Sequence, residues 1–243
     1  MVEVEICVQD IAGVRCALEA GAQRVEICTA LATGGLTPSI GLVEAAAGLA
    51  RTAGASGFVQ VLIRPRPGGY VYSADELLVM TRDIRCLLAA GADGVVVGAL
   101  TADGGIDESA TAALIGAASG APATFHRAVD AAADPVRTAA AAARLGAIRI
   151  LTSGGSPRAG GGAALLRRMV QSLPEGVQVM AGGGVGAESV RELIASGVGA
   201  IHFSGKRDVS DPHPSGPGGG AGTVTVTDPA IVRGLIQTIR SLG

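Results

Sequence analysis

Short apolar runs alternate with longer Ala- and Leu-rich stretches along most of the chain. The junction between the two recurs at residues 20–25, 90–95, 145–150 and 196–201, where a glycine ends a helical stretch shortly before an apolar run begins. Glycine tolerates the left-handed backbone that closes a helix. The junctions lie 70, 55 and 51 residues apart, and this spacing fits two strand–helix units between neighbouring junctions.

The pattern predicts eight strands and eight helices. Four strands follow the junctions and four more fall at 3–8, 58–63, 123–126 and 177–181, with helices near 10–20, 40–53, 74–90, 107–119, 134–145, 161–173, 186–196 and 228–242. Strict alternation indicates parallel strands joined by helical crossovers. The number of units and the length predict an α/β fold, a single-domain (β/α)8 TIM-type barrel over residues 1–243. A doubly wound open sheet is the alternative, but its G-x-G-x-x-G turn is missing after the first strand.

One segment, residues 204–227, does not fit the repeating unit. It contains Pro212, Pro214 and Pro217 and a run of three glycines, and it shows no hydrophobic periodicity. We therefore expect a mobile Gly/Pro-rich loop over the C-terminal mouth of the barrel, either a disordered insertion or a lid.

Composition excludes several classes of protein. Apolar residues make up 48% and charged residues 16% of the chain, which argues against disorder, and the net charge of −2 without a basic run argues against a nucleic-acid partner. Every long uncharged stretch is broken by glycine, so no membrane span is predicted. The N-terminus lacks the features of a signal peptide, and four cysteines without C-x-x-C spacing predict free thiols in a cytoplasmic protein. A homo-oligomer is compatible with the sequence.

Polar residues occur on strands whose inward face should be aliphatic. The first two strands share a Glu-x-Cys pattern, and period two places the acid and the thiol of each strand on one face. Convergence at one end of the barrel is predicted for Glu5, Cys7, Glu26, Cys28, Arg64, His126 and His202. Such a set indicates a functional site. The alternative is a structural ion pair between Glu5 or Glu26 and Arg64.

Glycine-rich turns follow the sixth, seventh and eighth strands. Glycine lets backbone N–H groups approach an anion closely, and TIM barrels often bind phosphate with the loops after strands seven and eight. The candidate anion-binding residues are Ser153, Gly154, Gly182, Gly183, Gly184 and Lys206. These glycines would be needed for chain reversal alone under the simpler interpretation.

Eight motifs in order give the chain a recognisable family resemblance. Among them are Val4-Glu5-Ile6-Cys7-Val8, Arg24-Val25-Glu26-Ile27-Cys28, Ile63-Arg64-Pro65-Arg66, Thr124-Phe125-His126-Arg127 and Met180-Ala181-Gly182-Gly183-Gly184. With these motifs the chain resembles the CutC family, which is named for copper homeostasis, from about residue 2 to 204. The resemblance implies a TIM-type barrel, a cytoplasmic location and a role in copper handling. The 204–227 segment is richer in Gly and Pro than the resemblance implies.

Two functions from different classes follow. In the first, the protein binds copper(I) without turnover, with Cys7 and Cys28 as soft ligands and His126 or His202 as a third. In the second, the barrel is an enzyme acting on a small phosphorylated or carboxylated metabolite by isomerase- or lyase-like chemistry. Its acid/base pair would be Glu26 or Glu5 with His126, and Arg64 and Arg66 would clamp an anionic group. The sequence leaves open whether any reaction is catalysed, and no cofactor other than copper is implied.

Overall fold

The protein forms a closed barrel of eight parallel strands in sequence order, as the alternation predicts. It is described by a computed structural model that covers residues 2–213 and 222–242. The barrel strands are β1 Glu3–Val8, β2 Arg24–Ile27, β3 Val59–Leu62, β4 Gly94–Val97, β5 Ala123–Phe125, β6 Arg149–Thr152, β7 Gln178–Gly182 and β8 Ala200–Phe203. The helices are α1 Ile11–Ala20, α2 Ile40–Thr52, α3 Ala74–Ala89, α4 Glu108–Ala117, α5 Pro135–Arg144, α6 Ala163–Ser172, α7 Ala187–Ala195 and α8 Pro229–Leu242.

Local sequence signals set the helix boundaries. Ser73 caps α3 in a reciprocal capping box with Glu76, and Asp134 caps α5 just before Pro135 at its first position. The predicted junction glycines adopt positive φ, for example +75° at Gly21. None of the helices in the described part of the chain is long and apolar enough to cross a membrane.

The barrel interior is charged at its N-terminal end instead of aliphatic. Glu5 of β1 is fully buried and accepts a hydrogen bond from Arg24 Nε of β2 at 3.0 Å. Arg149 of β6 is also buried and donates to Gln178 of β7 and to Thr124 of β5. Because outward strand residues such as Ile6, Val25 and Ile27 are buried under the helices, the apolar core lies between the barrel and its helical shell.

The segment after β8 differs from the prediction. It contains two antiparallel strands, β9 Lys206–Ser210 and β10 Thr223–Thr227, which pair as a two-stranded ribbon where the sequence predicts no regular structure. The reason is local: Thr223–Thr227 consists of β-branched residues in which Val recurs with period two, a short strand pattern that the prediction of an aperiodic segment overlooked. Gln9, after β1, donates to the Thr225 carbonyl at 2.9 Å and so ties the ribbon to the barrel. Pro214, Pro217 and the glycine run lie outside the described residues, and the assignment of the whole chain to a single domain stays a prediction.

Candidate functional site

A cavity of about 380 Å³ opens at the C-terminal mouth of the barrel, where a TIM-type fold places its site. Residues of β1, β2, β3, β6 and β8 line it, together with residues of the loops that follow the strands. Its polar lining consists of Cys7, Glu26, Thr33, Arg64, Tyr70, His126, Arg127, His202, Ser204 and Lys206. The predicted convergence therefore holds for five of its seven members, whereas Glu5 and Cys28 do not line the cavity.

Glu26 is the acid that reaches the cavity. Its carboxylate, the Cys7 thiol and a ring nitrogen of His202 lie within 4.8 Å of one another, and the Nε2 atom of His202 is 3.7 Å from the Glu26 carboxylate. Burial raises the pKa of Glu26, and the charge of His202 opposes that shift. A carboxyl group whose pKa is raised towards neutrality suits general acid–base chemistry.

Glu5 lies one layer deeper and holds His202 in place. Its carboxylate is 2.9 Å from His202 Nδ1 and 3.0 Å from Arg24 Nε, so it pairs with these two groups and not with Arg64. Burial opposes the charged form of Glu5, but the His202 hydrogen bond and charge, with Arg24, lower its pKa to about 2. Burial likewise opposes the charge on His202, and Glu5 and Glu26 together raise its pKa. The Glu5 side chain is buried and ion-paired and does not line the cavity, so this geometry does not favour its catalytic role, which stays a prediction.

Arg64 is a buried cation without a carboxylate partner among the residues that the structure describes. Its guanidinium donates to the carbonyls of Thr33, Gly35 and Gly68 at 3.2, 3.0 and 2.8 Å. Its Nε–H has no acceptor among those described residues. The predicted structural ion pair of Arg64 with Glu5 or Glu26 is absent from the same part of the chain.

His126 is a second buried donor in the same cavity. Its Nδ1 accepts a hydrogen bond from the Ala128 N–H at 3.2 Å, which places the ring proton on Nε2, and that Nε2 has no acceptor in the described ranges. Burial, reinforced by the charge of Arg64, lowers the pKa of His126 to about 3. The ring of Tyr70 lies 5.0 Å from the His126 ring and 5.4 Å from the Arg64 guanidinium carbon, so the three side chains form one wall.

The two barrel thiols approach each other as the Glu-x-Cys repeat predicts. The Sγ atoms of Cys7 and Cys28 are 3.6 Å apart, although the strand register pairs Cys7 with Glu26. The hydrogen bond with Cys28 and burial raise the pKa of Cys7 well above its usual value. His202 lies near Cys7, but His126 is outside this group. The predicted role of His126 as a metal ligand is therefore not supported.

Three predicted anion-binding residues have other partners. Arg66 pairs with Glu76 and donates to the carbonyl of Val71 at 2.8 Å, outside the cavity. The Ser153 N–H donates to the Asp130 carboxylate at 3.0 Å, and the Gly154 N–H donates to the Thr152 hydroxyl at 2.9 Å. A side chain of the protein already supplies each acceptor, so this geometry does not favour the three anion-binding assignments, which stay predictions.

The turns after β7 and β8 keep their predicted place at the mouth. Gly183, Gly184 and Lys206 line the cavity, and the two glycines have φ of +106° and +61°. Gly182 is different, because it ends β7 in register with His202 and a Cβ there would lie 2.5 Å from Leu151. Gly182 therefore serves close packing inside the barrel.

Sequence reasoning missed two residues that organise the site. Arg24 shares the inward face of β2 with Glu26, and its position two residues before Glu26 was the available signal. Asp130 follows β5 in a 3-10 turn and accepts hydrogen bonds from Arg127, Thr152 and Ser153. No periodic pattern marks Asp130, because its partners come from a different loop.

Comparison with known proteins places these residues in a family context. The CutC family matches residues 2–207. The chain is 38% identical to a CutC family protein of Pasteurella multocida over 205 residues, which span 84% of this chain and 82% of the relative. It is 42% identical to one of Vibrio vulnificus over 207 residues, 84% and 81% of the two chains. A crystal structure of CutC from Streptococcus agalactiae, named for a proposed role in copper homeostasis, aligns with a TM-score of 0.77 at 33% identity and covers 84% of this chain and 99% of that one.

Proposed function

The chain belongs to the CutC family, and from the geometry of its barrel mouth we propose that it binds a small organic anion there and transfers a proton to or from it. The observation that carries the proposal is a pair of buried N–H donors, Arg64 Nε and His126 Nε2, that lack acceptors within residues 2–213 and 222–242. Buried donors of this kind are rarely left unsatisfied. Both side chains line the cavity that Glu26 also lines.

The missing acceptor is an anionic oxygen. Arg64 supplies a full positive charge, and His126 remains a neutral donor at physiological pH because its pKa is lowered to about 3. A neutral imidazole beside a guanidinium polarises a carbonyl or carboxylate oxygen without giving up its proton. The pair therefore favours an oxygen on which negative charge develops, as in an enolate.

Glu26 is the proton carrier in this proposal. Burial raises its pKa, and among the described residues it is the carboxylate that lines the cavity. His202, whose pKa is raised by Glu5 and Glu26, lies between these two carboxylates and opposes the rise of the Glu26 pKa. The reaction class that fits is proton transfer at the carbon next to a bound oxygen, on a carboxylated or phosphorylated metabolite.

Oxalate tests the binding step, because it is a planar dianion that resembles an enolate of a 2-oxo acid. We expect calorimetric titration to show binding that Arg64→Lys and His126→Phe each weaken by about tenfold or more. Arg85→Gln, a change of an exposed α3 arginine away from the cavity, is the control and should bind oxalate like the wild type. Equal binding by all four proteins would overturn the proposal.

A second candidate, copper(I) binding, is favoured by one observation. The Cys7 and Cys28 sulfur atoms lie 3.6 Å apart, and thiolates are ligands that copper(I) prefers. His202, close to Cys7, would be a third ligand. Both thiols must lose their protons, so affinity would rise with pH. Four cysteines without disulfides fit the cytoplasmic location that we propose with either function.

An anaerobic titration with copper(I) against a competing chelator tests this candidate. Tight one-to-one binding that is lost in the Cys7→Ser/Cys28→Ser double variant would support it. Binding that survives the double change would rule out the thiol pair as the copper site. The matched control is Cys86→Ser, because Cys86 is exposed on α3 and remote from the pair.

A further inference from the structure

A second cavity adjoins the first on the side of β7 and β8. It has a volume of about 490 Å³, and its lining includes the turn 184–186, the start of β9 and the first turns of α8. Gly184, Phe203, Ser204 and Lys206 line both cavities. The two spaces are therefore neighbouring parts of one mouth, separated by a wall that four residues share.

The two turns that contribute to the shared wall, residues 183–185 and 204–205, carry backbone donors without acceptors in the described part of the chain. The N–H groups of Gly183, Gly184, Val185, Ser204 and Gly205 make no hydrogen bond to any described residue. Gly205 is buried and Ser204 is half-buried. Gly183 and Val185 are half-buried as well, and Gly184 is exposed. Buried backbone N–H groups are paired in most proteins, so the Gly205 N–H calls for an external acceptor, and the other four unpaired N–H groups on the same two turns are available to it.

Positive side chains frame the same wall. Lys206 and Arg158 line the second cavity, and neither takes part in an ion pair within the described part of the chain. A Cβ on Gly183 would lie 3.0 Å from the Arg127 guanidinium, and one on Gly184 would lie 3.1 Å from the Arg158 side chain. The glycines thus let the turn pass between two arginines, one beside each cavity. Glu188 is the acid in the lining of the second cavity.

We propose that this wall binds a second anionic group of the substrate, a phosphate, held by the N–H groups of Gly184, Val185, Ser204 and Gly205 with Lys206 and Arg158. Tetrahedral phosphate oxygens accept several N–H bonds at once and favour the two cations. The proposal rests on the proposed function, since it makes the substrate a two-headed molecule. One oxygen lies on Arg64 and His126 near Glu26, and the phosphate lies at the far end of a short carbon chain.

The apolar floor of the second cavity fits this arrangement. Phe203 and Leu235 are buried beneath it, while Lys206 and Arg158 are exposed at its rim. A phosphate at the shared wall would leave space over the floor for carbon atoms or for a larger substituent on the phosphate. The Ala230 and Ile231 N–H groups at the start of α8 are already capped by Asp228 and take no part.

Inorganic phosphate is the probe for this site. Lys206 is the only lysine in the chain, so protein labelled with ¹³C-lysine reports on it through a single side-chain methylene signal next to the ammonium group. We expect phosphate to shift this signal in the wild type. Calorimetric titration should show phosphate binding about tenfold more weakly to Lys206→Gln and to Arg158→Gln. Arg85→Gln should bind phosphate as the wild type does. An unmoved Lys206 signal, or equal affinity in the two cavity variants, would overturn the inference.

Oxalate, titrated in parallel, separates this inference from the proposed function. Oxalate binding should depend on Arg64 and His126 and be unchanged in Arg158→Gln. If phosphate fails to bind while oxalate binds, the phosphate site is wrong and the proposed function stands. If oxalate fails while phosphate binds at Lys206, the proposed function is wrong and with it the two-headed substrate.

A phosphorylated carboxylate such as 2-phosphoglycolate or 3-phosphoglycerate should bind more tightly than inorganic phosphate, and equal affinity for all three would contradict the two-headed substrate.

Discussion

The Nδ1 atom of His202 lies 2.9 Å from a carboxylate oxygen of Glu5, and that carboxylate is fully buried inside the barrel. Arg24 bonds the other oxygen of the same carboxylate at 3.0 Å. On its other side His202 faces Glu26 at 3.7 Å. A row of alternating basic and acidic side chains thus runs from Arg24 inside the barrel to the cavity, and Glu26 is its last member.

From the buried pairing of Glu5 with Arg24 and His202 we expect a specific loss of stability in acid. The pKa of Glu5 falls from an ordinary value near 4.5 to about 2 in the folded protein. Stability from this group is fully present above pH 4.5 and is lost as the pH falls towards 2, by an amount of about 3 kcal/mol. Urea unfolding of the wild type between pH 5 and pH 2 measures it. Glu5→Gln should be less stable at pH 7, because Arg24 and His202 lose their partner, and should lack this part of the acid dependence.

A Glu5→Gln variant as stable as the wild type at pH 7, with the same acid dependence, would contradict this assignment. His202 contributes with the opposite sign, since its pKa is raised in the folded state. Its contribution is present below the ordinary histidine pKa and is lost as the pH rises through the raised value. The two effects together place maximal stability between the two transitions.

His126 should stay neutral across the physiological range. Burial and the charge of Arg64 lower its pKa to about 3, and the Ala128 N–H fixes the tautomer. ¹⁵N NMR of the imidazole nitrogens between pH 5 and pH 8 should show a constant neutral ring with the proton on Nε2. A titration midpoint near the ordinary histidine value would contradict both the burial effect and the role of His126 as a neutral donor.

Gly98 offers a way to displace His126 without removing it. A Cβ at this position would lie 2.6 Å from two atoms of the His126 ring, so Gly98→Ala forces the ring to move. We expect oxalate binding to weaken by about tenfold, with only a modest loss of stability. Gly48→Ala is the control, because a Cβ there meets no atom within 4 Å. Unchanged oxalate affinity in Gly98→Ala would argue against His126 as a donor.

The sequence predicted the barrel well because the information is local. Glycine junctions such as Gly91 and cap residues such as Ser73 and Asp134 mark the strand–helix units. Eight such units in a row commonly form a parallel sheet that closes into a barrel. The ribbon was missed because two short strands, Lys206–Ser210 and Thr223–Thr227, are embedded in Gly- and Pro-rich sequence. The two strands are separated in the sequence by residues 211–222, so a short stretch of sequence does not contain both partners of the pairing.

The candidate site was predicted in outline and missed in its pairings. Period two placed Glu5 and Glu26 on the inward face, but the register that pairs Glu5 with Arg24 and with His202 depends on the stagger of the closed barrel. The partner of Ser153 also depends on the three-dimensional fold. Its N–H was predicted to bind an anion, but it donates to Asp130, which comes from another loop. Residue type and spacing therefore gave the chemistry of the mouth, and only the three-dimensional contacts showed which groups are left without partners.

Asp130 should matter for stability more than its sequence context suggests. It accepts hydrogen bonds from the Ser153 and Gly155 N–H groups and from the Thr152 hydroxyl, and it pairs with Arg127. Asp130→Ala should lower the free energy of unfolding by about 3 kcal/mol, because it leaves several donors without an acceptor at once. Chemical denaturation measures this loss. Asp103→Ala, which removes an exposed acid that caps a turn, should leave the midpoint close to that of the wild type.

Glu26→Gln should separate binding from proton transfer. The change keeps the shape of the side chain and removes its ability to accept a proton, so oxalate should still bind. Exchange of the pyruvate methyl protons for deuterium, followed by NMR, should be faster with the wild type than without protein and should fall by about a hundredfold or more in the variant. Exchange by Glu26→Gln at the wild-type rate would rule out Glu26 as the base.

The proposed function rests on the binding of an anionic oxygen by Arg64 Nε and His126 Nε2. Its most direct test is a titration of oxalate into protein labelled with ¹⁵N in arginine and histidine, followed through the two side-chain N–H signals. We expect both signals to move together, with the dissociation constant measured by calorimetry, and Gly98→Ala to weaken both responses. Binding of oxalate that leaves both signals unmoved would contradict it.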